Sequence, residues 1–168
     1  MAWPKVGVVM GSASDQEIME ECLKALDEFG IPYEVTVSSA HRSPARTSEY
    51  AKRAGERGLQ VLIAGAGGAA HLAGVLAAET ILPVIGVPID SSPLKGLDAL
   101  LATVQMPGGT PVATMAVGKS GARNASILAA QILALSDPAL SQKLQNFKQK
   151  MSQVVEEADR KLKGKRSK

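Results

Sequence analysis

The sequence predicts an α/β fold, in which a doubly wound parallel sheet lies between two layers of helices. Along the 168 residues, short β-branched runs alternate with segments of helical periodicity. Several of these runs are continuously apolar, as expected of parallel strands buried on both faces. Aromatic residues make up only 3% of the chain, which also contains 16 glycines. Small side chains let helices approach a sheet closely, so the composition favours this layered fold over an aromatic-rich β-sandwich.

Five strands are predicted, at Val6–Met10, Tyr33–Val37, Val61–Ala64, Val84–Val87 and Val112–Val117. The first helix is predicted over Asp15–Phe29. Ser14 and Glu17 have the spacing of a capping box at its start, and Gly30 is typical of a helix end.

The second helix is predicted over Pro44–Arg57, with Ser43 as N-cap and Gly58 as the stop. Later helices are predicted to begin near His71 and to span Gly96–Thr103, Gly121–Leu135 and Ala139–Leu162. Five alternating units of this length predict a three-layer, flavodoxin-like domain with an extra C-terminal helix. In such sheets, ligands bind beyond the carboxyl ends of the strands.

Charge is distributed unevenly along the chain. Residues 160–168 contain six Lys or Arg and no acid, and the remainder has 13 basic and 16 acidic residues. We therefore expect a single domain over residues 1–159, including the C-terminal helix, and a solvated, frayed basic tail over residues 160–168. A protein that binds nucleic acid is expected to have its basic residues on a folded surface, but here the basic excess is in the tail. Proteins that bind single strands stack the bases on aromatic side chains, which are scarce in this chain. Both criteria argue against nucleic acid as a partner.

Neither a secretory signal nor a membrane span is predicted. Residues 59–78 contain no charged side chain, but four glycines interrupt this stretch, which fits a strand, a loop and a helix start better than a membrane helix. The single cysteine, Cys22, excludes an internal disulfide and fits a reducing compartment. We expect a soluble, cytoplasmic protein.

The segment after the first strand predicts an anion site. Gly11 permits a tight turn, Ser12 and Ser14 supply hydroxyls, and a helix N-terminus follows with free amides. Asp15 would repel a phosphate but can accept hydrogen bonds from ribose hydroxyls. The alternative interpretation is helix capping alone.

The next two strand ends add a cation, two histidines and a glycine-rich loop. His41 and Arg42 follow the second strand, and they suit general acid–base chemistry and phosphate binding respectively. Residues 65–71 follow the third strand, where backbone amides can approach a ligand closely. The alternatives are a surface pair without a role and a flexible turn in which His71 caps a helix. The segments at 88–92 and 105–109 are candidates for further walls of the pocket.

Missing residues exclude several chemistries. Met10-Gly11 and Ala64-Gly65 stand where a phospho-receiver domain needs acids, and the strand-end loops have no aromatic residue to flank a flavin. No cluster has metal-ligand spacing, and neither a P-loop nor a nucleophile elbow is present. The remaining hypothesis is a site that binds a phosphorylated small molecule next to a histidine.

Taken together, the loops carry a resemblance to a known family. The matching motifs are Met10-Gly11-Ser12-x-Ser14-Asp15, Ser39-Ala40-His41-Arg42, the run from Ala64 to Leu72, Gly86-Val87-Pro88, Val104-Gln105-Met106-Pro107 and Ala129-Ala130-Gln131-Ile132-Leu133. Over about residues 5–150 the chain resembles the class I N5-carboxyaminoimidazole ribonucleotide mutases. These form the PurE family, the catalytic component of phosphoribosylaminoimidazole carboxylase.

The resemblance implies an isomerase of purine biosynthesis that moves a carboxyl group from the exocyclic nitrogen of an aminoimidazole ribonucleotide to ring carbon 4. The family is thought to release CO2 into a closed pocket and add it back to carbon, without metal or organic cofactor. The implied partners are aminoimidazole ribonucleotides and CO2, and the implied assembly is a homo-octamer.

The resemblance also implies residue roles. It implies that His41 is the proton-transfer residue. The implied substrate-binding residues at the phosphate are Ser12, Ser14 and Arg42, and Asp15 is implied at the ribose. Ser39 is a further implied substrate-binding residue, and Gly67 and His71 belong to a loop that closes over the base and CO2.

Two alternatives stay open. A sister class carboxylates the unmodified ribonucleotide with CO2 directly; it differs in the glycine loop and typically has Lys after the equivalent histidine. Arg42 and the run from Gly67 to His71 favour the mutase. The second alternative, a nonenzymatic nucleotide-binding domain, would bind the ribonucleotide without turnover. One departure from the family is Ala73, where many relatives have Pro.

Overall fold

The structure is a computed structural model that describes residues 3–166. In chain order it contains β1 (Val6–Met10), α1 (Gln16–Phe29), β2 (Tyr33–Val37), α2 (Pro44–Lys52), β3 (Val61–Gly67), α3 (Leu72–Glu79), β4 (Val84–Ile89), α4 (Leu97–Val104), β5 (Ala113–Thr114), α5 (Lys119–Ala134) and α6 (Pro138–Arg166). Short 3-10 turns occupy Ala13–Asp15 and Gly55–Arg57. The chain forms two compact units, one up to residue 132 and the other from residue 133 onward.

The five strands form one parallel sheet in the order β2-β1-β3-β4-β5. This is the order of flavodoxin-like doubly wound domains, and the predicted fold class is confirmed. The connections on either side of β1 run in opposite directions along the sheet, so the carboxyl ends of β1 and β3 define the switch point at which such folds bind ligands.

Helices cover both faces of the sheet. On one face, Val9 and Leu62 belong to a buried cluster that includes Ala51 of α2 and Leu76 of α3. On the other face, Met19 of α1 lies so close to β3 that a Cβ at Gly65 would stand 2.5 Å from its sulfur. The Ser126 hydroxyl of α5 donates to the carbonyl oxygen of Cys22 in α1 at 2.7 Å. This face of the sheet is therefore covered by α1 and α5.

The start of the first helix differs from the prediction. The capping residue is Ser12, not Ser14, and it caps the 3-10 turn Ala13–Asp15 that precedes α1: its hydroxyl accepts from the Ser14 amide at 3.3 Å, and the Asp15 carboxylate accepts from the Ser12 amide at 2.9 Å. The predicted box of Ser14 and Glu17 is wrong because a 3-10 turn precedes α1 and moves the cap toward the strand. The end of α1 at Gly30, which has a φ of +69°, is as predicted.

The second helix is shorter than predicted. It begins at Pro44, but the Ser43 hydroxyl donates to the Ser39 carbonyl at 3.0 Å and makes no cap bond. The helix ends at Lys52, and the chain continues through the 3-10 turn to Gly58, with φ +85°. Gly55 in this stretch is a poor helix former, which fits the early end.

Two strands are longer than predicted and one is shorter. β3 and β4 extend to Gly67 and Ile89, and these two residues pair with each other. Gly65–Gly67 are therefore strand rather than loop. β5 contains only Ala113 and Thr114, at the edge of the sheet.

The second unit consists of the end of α5 and the helix α6. Asp137 caps α6, because its carboxylate accepts from the Leu140 amide at 3.1 Å. The helix continues to Arg166, four residues beyond the predicted end, so residues 160–166 of the expected frayed tail are helical; residues 167–168 lie outside the described range. No helix within residues 3–166 is both long and apolar enough to cross a membrane.

Candidate functional site

A cavity of about 460 Å³ lies at the carboxyl ends of the first three strands. It is lined by Gly11, Ser12, Ser14 and Asp15 after β1, by Ser39, Ala40, His41 and Arg42 after β2, by Ala66, Gly67, Ala69 and Leu72 at the end of β3 and the start of α3, and by Ser91 after β4. Seven of the eight residues predicted for the site are in this lining.

One side of the cavity combines hydroxyls with a positive charge. The Ser14 hydroxyl donates to that of Ser12 at 2.9 Å, beside the short 3-10 turn. Arg42 crosses from the β2 loop and donates from Nη2 to the Gly11 carbonyl at 3.5 Å and from Nε to the Ser39 hydroxyl at 3.4 Å. Hydroxyls and a guanidinium at the start of a helix are the donors that bind a phosphate group.

Asp15 supplies a buried carboxylate next to these donors. Its side chain lines the cavity although the residue is only 4% exposed. Burial raises the pKa of the Asp15 carboxyl above its ordinary value, while the hydrogen bond from the Ser12 amide and the charge of Arg42 lower it. A carboxylate held in this way can accept hydrogen bonds from ligand hydroxyls.

The two histidines of the chain meet at the exposed side of the site. Nε2 of His41 lies 2.8 Å from Nδ1 of His71, at hydrogen-bond distance, although the residues are 30 positions apart. The rings are nearly perpendicular, with centroids 4.9 Å apart and an interplanar angle of 79°. His41 lines the cavity, whereas His71 does not and reaches the site through His41.

Backbone hydrogen bonds hold the loop that carries His41. The Ser43 amide donates to the Ser39 carbonyl at 2.9 Å, and the Arg42 amide donates to the Ser39 hydroxyl at 3.2 Å. Below this turn, the buried hydroxyls of Ser38 and Thr47 lie 2.8 Å apart and join the end of β2 to α2. The loop is thus a tight turn and not an open coil.

Ser91 lines the cavity, although no sequence pattern singles it out. The segment after β4 was proposed as a wall, and the pairing of Gly67 with Ile89 brings Ser91 to the cavity. The approach is so close that a Cβ at Gly67 would overlap the Ser91 hydroxyl. Nothing in the sequence separates Ser91 from Ser92. The other proposed wall, residues 105–109, does not line this cavity in the described chain.

The arrangement supports three chemical tasks, which are binding an anionic ester, accepting hydrogen bonds from ligand hydroxyls, and moving a proton. Within residues 3–166, no group of three or more His, Cys, Asp or Glu side chains has an arrangement that could hold a metal ion.

Comparison with known proteins identifies relatives of this chain. The N5-carboxyaminoimidazole ribonucleotide mutase of Pyrococcus horikoshii is 54% identical to it over 159 residues, which cover 95% of this chain and 89% of that protein. The enzyme of the same name from Bacillus subtilis is 55% identical over 159 residues, which cover 95% of this chain and 98% of that protein.

Solved structures agree with the sequence relatives. The crystal structure of Treponema denticola PurE matches with a TM-score of 0.86 and 28% identity, over 95% of this chain and 99% of that chain. Residues 5–154 match the family described as AIR carboxylase. This chain therefore belongs to the AIR carboxylase family.

Proposed function

We propose that this protein is a class I mutase that converts N5-carboxyaminoimidazole ribonucleotide to 4-carboxy-5-aminoimidazole ribonucleotide in purine biosynthesis. The observation that carries the proposal is the meeting, in one cavity, of phosphate-binding donors with a histidine. The relatives that are 54% and 55% identical have this activity in their names.

The phosphate is assigned to the donors at the end of β1. Ser12, Ser14 and Arg42 surround one side of the cavity, and Arg42 contributes a positive charge to it. Ser39 accepts from Arg42 at 3.4 Å and so keeps the guanidinium directed across the site. The buried carboxylate of Asp15 accepts hydrogen bonds from the ribose hydroxyls. In this orientation, the base lies toward His41.

His41 is assigned as the proton carrier of the reaction. The protonated imidazole donates its proton to the exocyclic nitrogen while the bond between that nitrogen and the carboxyl carbon breaks; the bonding electrons stay on nitrogen and CO2 is released. Ring carbon 4 then forms a bond to CO2, and the proton displaced from carbon 4 returns to His41. The ring regains its aromaticity, and no net proton is consumed.

Apolar side chains form the part of the cavity assigned to CO2. Ala40, Ala66, Ala69 and Leu72 line the cavity. CO2 is neutral and binds weakly, so a water-excluding wall retains it better than a charged group does. From the family resemblance, the segment Gly67–His71 is assigned as the wall over the base and CO2, and its residues Gly67 and Ala69 line the cavity.

The proposal also covers conditions and assembly. The reaction as written needs neither metal nor organic cofactor. The single cysteine, which is buried and free, fits a cytoplasmic location. We assign a homo-octameric assembly from the family resemblance, and exposed leucines on and before α4 provide apolar surface for it: Leu94, Leu97 and Leu101.

Replacement of His41 tests the proposed function directly. Asn keeps part of the shape and hydrogen bonding of His but cannot carry a proton, so His41→Asn should bind the ribonucleotide within about tenfold of wild type, or ~1.4 kcal/mol. Turnover should fall by about 10²- to 10⁴-fold, as expected for the loss of general acid–base catalysis. The measurements are single-turnover conversion of the carbamate substrate, and calorimetric binding of the nucleotide.

Three outcomes would contradict the assignment of His41 or the proposed reaction. Near-normal turnover by His41→Asn together with an inactive His71→Asn variant would place the proton on the other histidine. If the wild-type protein carboxylates the unmodified ribonucleotide with CO2 but leaves the carbamate unchanged, it belongs to the sister class. Tight nucleotide binding without either reaction would indicate a binding domain.

A further inference from the structure

The contact between His41 and His71 supports an inference about His71, which rests on the proposed function of His41. His71 lies outside the cavity lining, yet its Nδ1 is 2.8 Å from Nε2 of His41. Its side chain is therefore placed to act on the other histidine rather than on the base.

The ring of His41 has little else to orient it. Its backbone lies in the turn held by Ser39 and Ser43, but the ring makes one hydrogen bond within residues 3–166, the one to His71. Both side chains are exposed, so packing alone does not fix the ring. An unanchored imidazole would sample several orientations, and only some of these can reach the substrate.

The backbone of His71 is held in place by hydrogen bonds and by the helix that follows it. Its amide donates to the Ala69 carbonyl at 2.8 Å, and its carbonyl accepts from the Val75 amide at 3.0 Å. It is the first residue before α3, whose Leu72 and Leu76 are buried in the core. The side chain of His71 thus starts from backbone that the core holds in place, and it can hold the more loosely anchored ring.

The direction of this hydrogen bond follows from the proposed role of His41. A contact between two ring nitrogens needs a proton on one and a lone pair on the other, and a neutral imidazole has one proton for its two nitrogens. If Nε2 of His41 accepted the hydrogen bond, giving the Nδ1 proton to the substrate would leave an imidazolate anion. With Nε2 of His41 as donor and Nδ1 of His71 as acceptor, His41 alternates between an imidazolium and a neutral imidazole.

We propose that His71 is a positioning residue, which keeps the proton of His41 on Nε2 and leaves Nδ1 of His41 to exchange the reaction's proton with the substrate. His41 donates the Nδ1 proton to the exocyclic nitrogen and later receives the carbon 4 proton at the same atom. The Nε2 proton stays in the contact throughout, so His71 accepts the same hydrogen bond in both charge states of His41.

Two substitutions at residue 71 separate positioning from a general structural role. His71→Leu removes the acceptor, whereas His71→Asn restores an acceptor oxygen close to the position of Nδ1. We expect kcat to fall about tenfold in His71→Leu, as for the loss of one hydrogen bond, with KM within about twofold of wild type. The Asn variant should recover kcat to within about threefold of wild type. Equal losses in the two variants, or no loss in either, would overturn the inference.

Side-chain ¹⁵N NMR provides a readout that does not depend on turnover. The chain has only two histidines, so the spectrum of His41→Asn assigns both rings. We expect neutral His41 to have its proton on Nε2 in the wild type and to show a mixture of tautomers in His71→Leu. Unchanged tautomer populations in His71→Leu would disprove positioning and leave the proposed function intact. Full turnover by His41→Asn would instead disprove the assignment of His41 as the proton carrier, and a wild-type protein that leaves the carbamate unchanged would disprove the proposed function, whatever the spectra show.

Discussion

At the scale of single residues, Arg42 is the cation that joins two loops of the site. Its guanidinium lies between the Gly11 carbonyl and the Ser39 hydroxyl, so it faces the proposed phosphate. We expect Arg42→Ala to weaken binding of the ribonucleotide by about 10- to 100-fold, since hydrogen bonds to charged groups contribute ~1.5–3 kcal/mol. Binding of the phosphate-free ribonucleoside should change little. Calorimetry with both ligands measures the difference.

Arg46 provides the matched control for this experiment. It also lies near the start of α2, but its Nη2 donates to the Thr36 hydroxyl at 3.2 Å and the residue does not line the cavity. Arg46→Ala should leave the affinity for the ribonucleotide within about twofold of wild type. Equal losses for both ligands in Arg42→Ala would show that Arg42 supports the fold of the loop instead of binding phosphate.

Asp15 gives the site a pH-dependent effect on stability. Burial raises the pKa of its carboxyl in the folded chain, so the unfolded chain loses this proton more readily. The group therefore favours folding only while it is protonated, and this contribution is lost as the pH rises through the folded pKa. At neutral pH, the ionised carboxylate lowers the free energy of unfolding.

The variant Asp15→Asn should therefore be more stable than wild type at pH 7 in the absence of ligand. Its amide oxygen can still accept from the Ser12 amide, which donates to Asp15 at 2.9 Å. The difference should shrink as the pH falls toward the ordinary carboxyl pKa of roughly 3.9. Urea unfolding at pH 7 and at lower pH measures it, and a less stable Asn variant at pH 7 would contradict this account.

At the scale of secondary-structure elements, the start of α5 depends on a glycine. A Cβ at Gly121 would overlap the backbone carbonyl of Ala116, which cannot rotate away. We expect Gly121→Ala to lower the free energy of unfolding by about 1–3 kcal/mol, as for other overpacked sites. Equilibrium urea unfolding is the measurement.

Gly164 is the matched helical glycine for this substitution. It lies in α6, and a Cβ there would meet no heavy atom within 4 Å. Since Ala is favoured over Gly in a helix, Gly164→Ala should leave the free energy of unfolding unchanged or raise it by up to about 1 kcal/mol. A similar loss in both variants would mean that contact with Ala116 is not the cause.

At the scale of the whole molecule, the exposed leucines indicate association. Leu97 and Leu101 lie one turn apart on α4, and Leu94 precedes the helix; all three are about half exposed or more. Light scattering at micromolar concentration should give a mass several times that of the 17.5 kDa chain, and eight times for the proposed octamer. The double variant Leu97→Glu, Leu101→Glu should reduce that mass if this surface forms contacts. A wild-type monomer would refute the proposed assembly.

Local patterns alone predicted much of the fold. β1 and β2 lie where the β-branched runs predict strands, and α2 begins at Pro44 as expected. The predicted start of α1 was wrong because a 3-10 turn precedes the helix, and the predicted length of β5 was wrong because this strand lies at the edge of the sheet. Both features depend on neighbouring segments of the chain. Hydrophobic periodicity and helix-end residues act over a few positions, so the sequence reveals them directly.

The candidate site was also predicted only in part from the sequence. The sequence by itself determined that His41, Arg42 and Asp15 follow strands of a parallel sheet, which is why they were predicted to meet. Only the tertiary structure decided how they meet. The strand order brings Arg42 to the Gly11 carbonyl, and burial raises the pKa of the Asp15 carboxyl. The ring of His71 contacts that of His41, although the two residues are 30 positions apart in the sequence. These contacts depend on strand order, register and loop geometry, which no local stretch of sequence encodes.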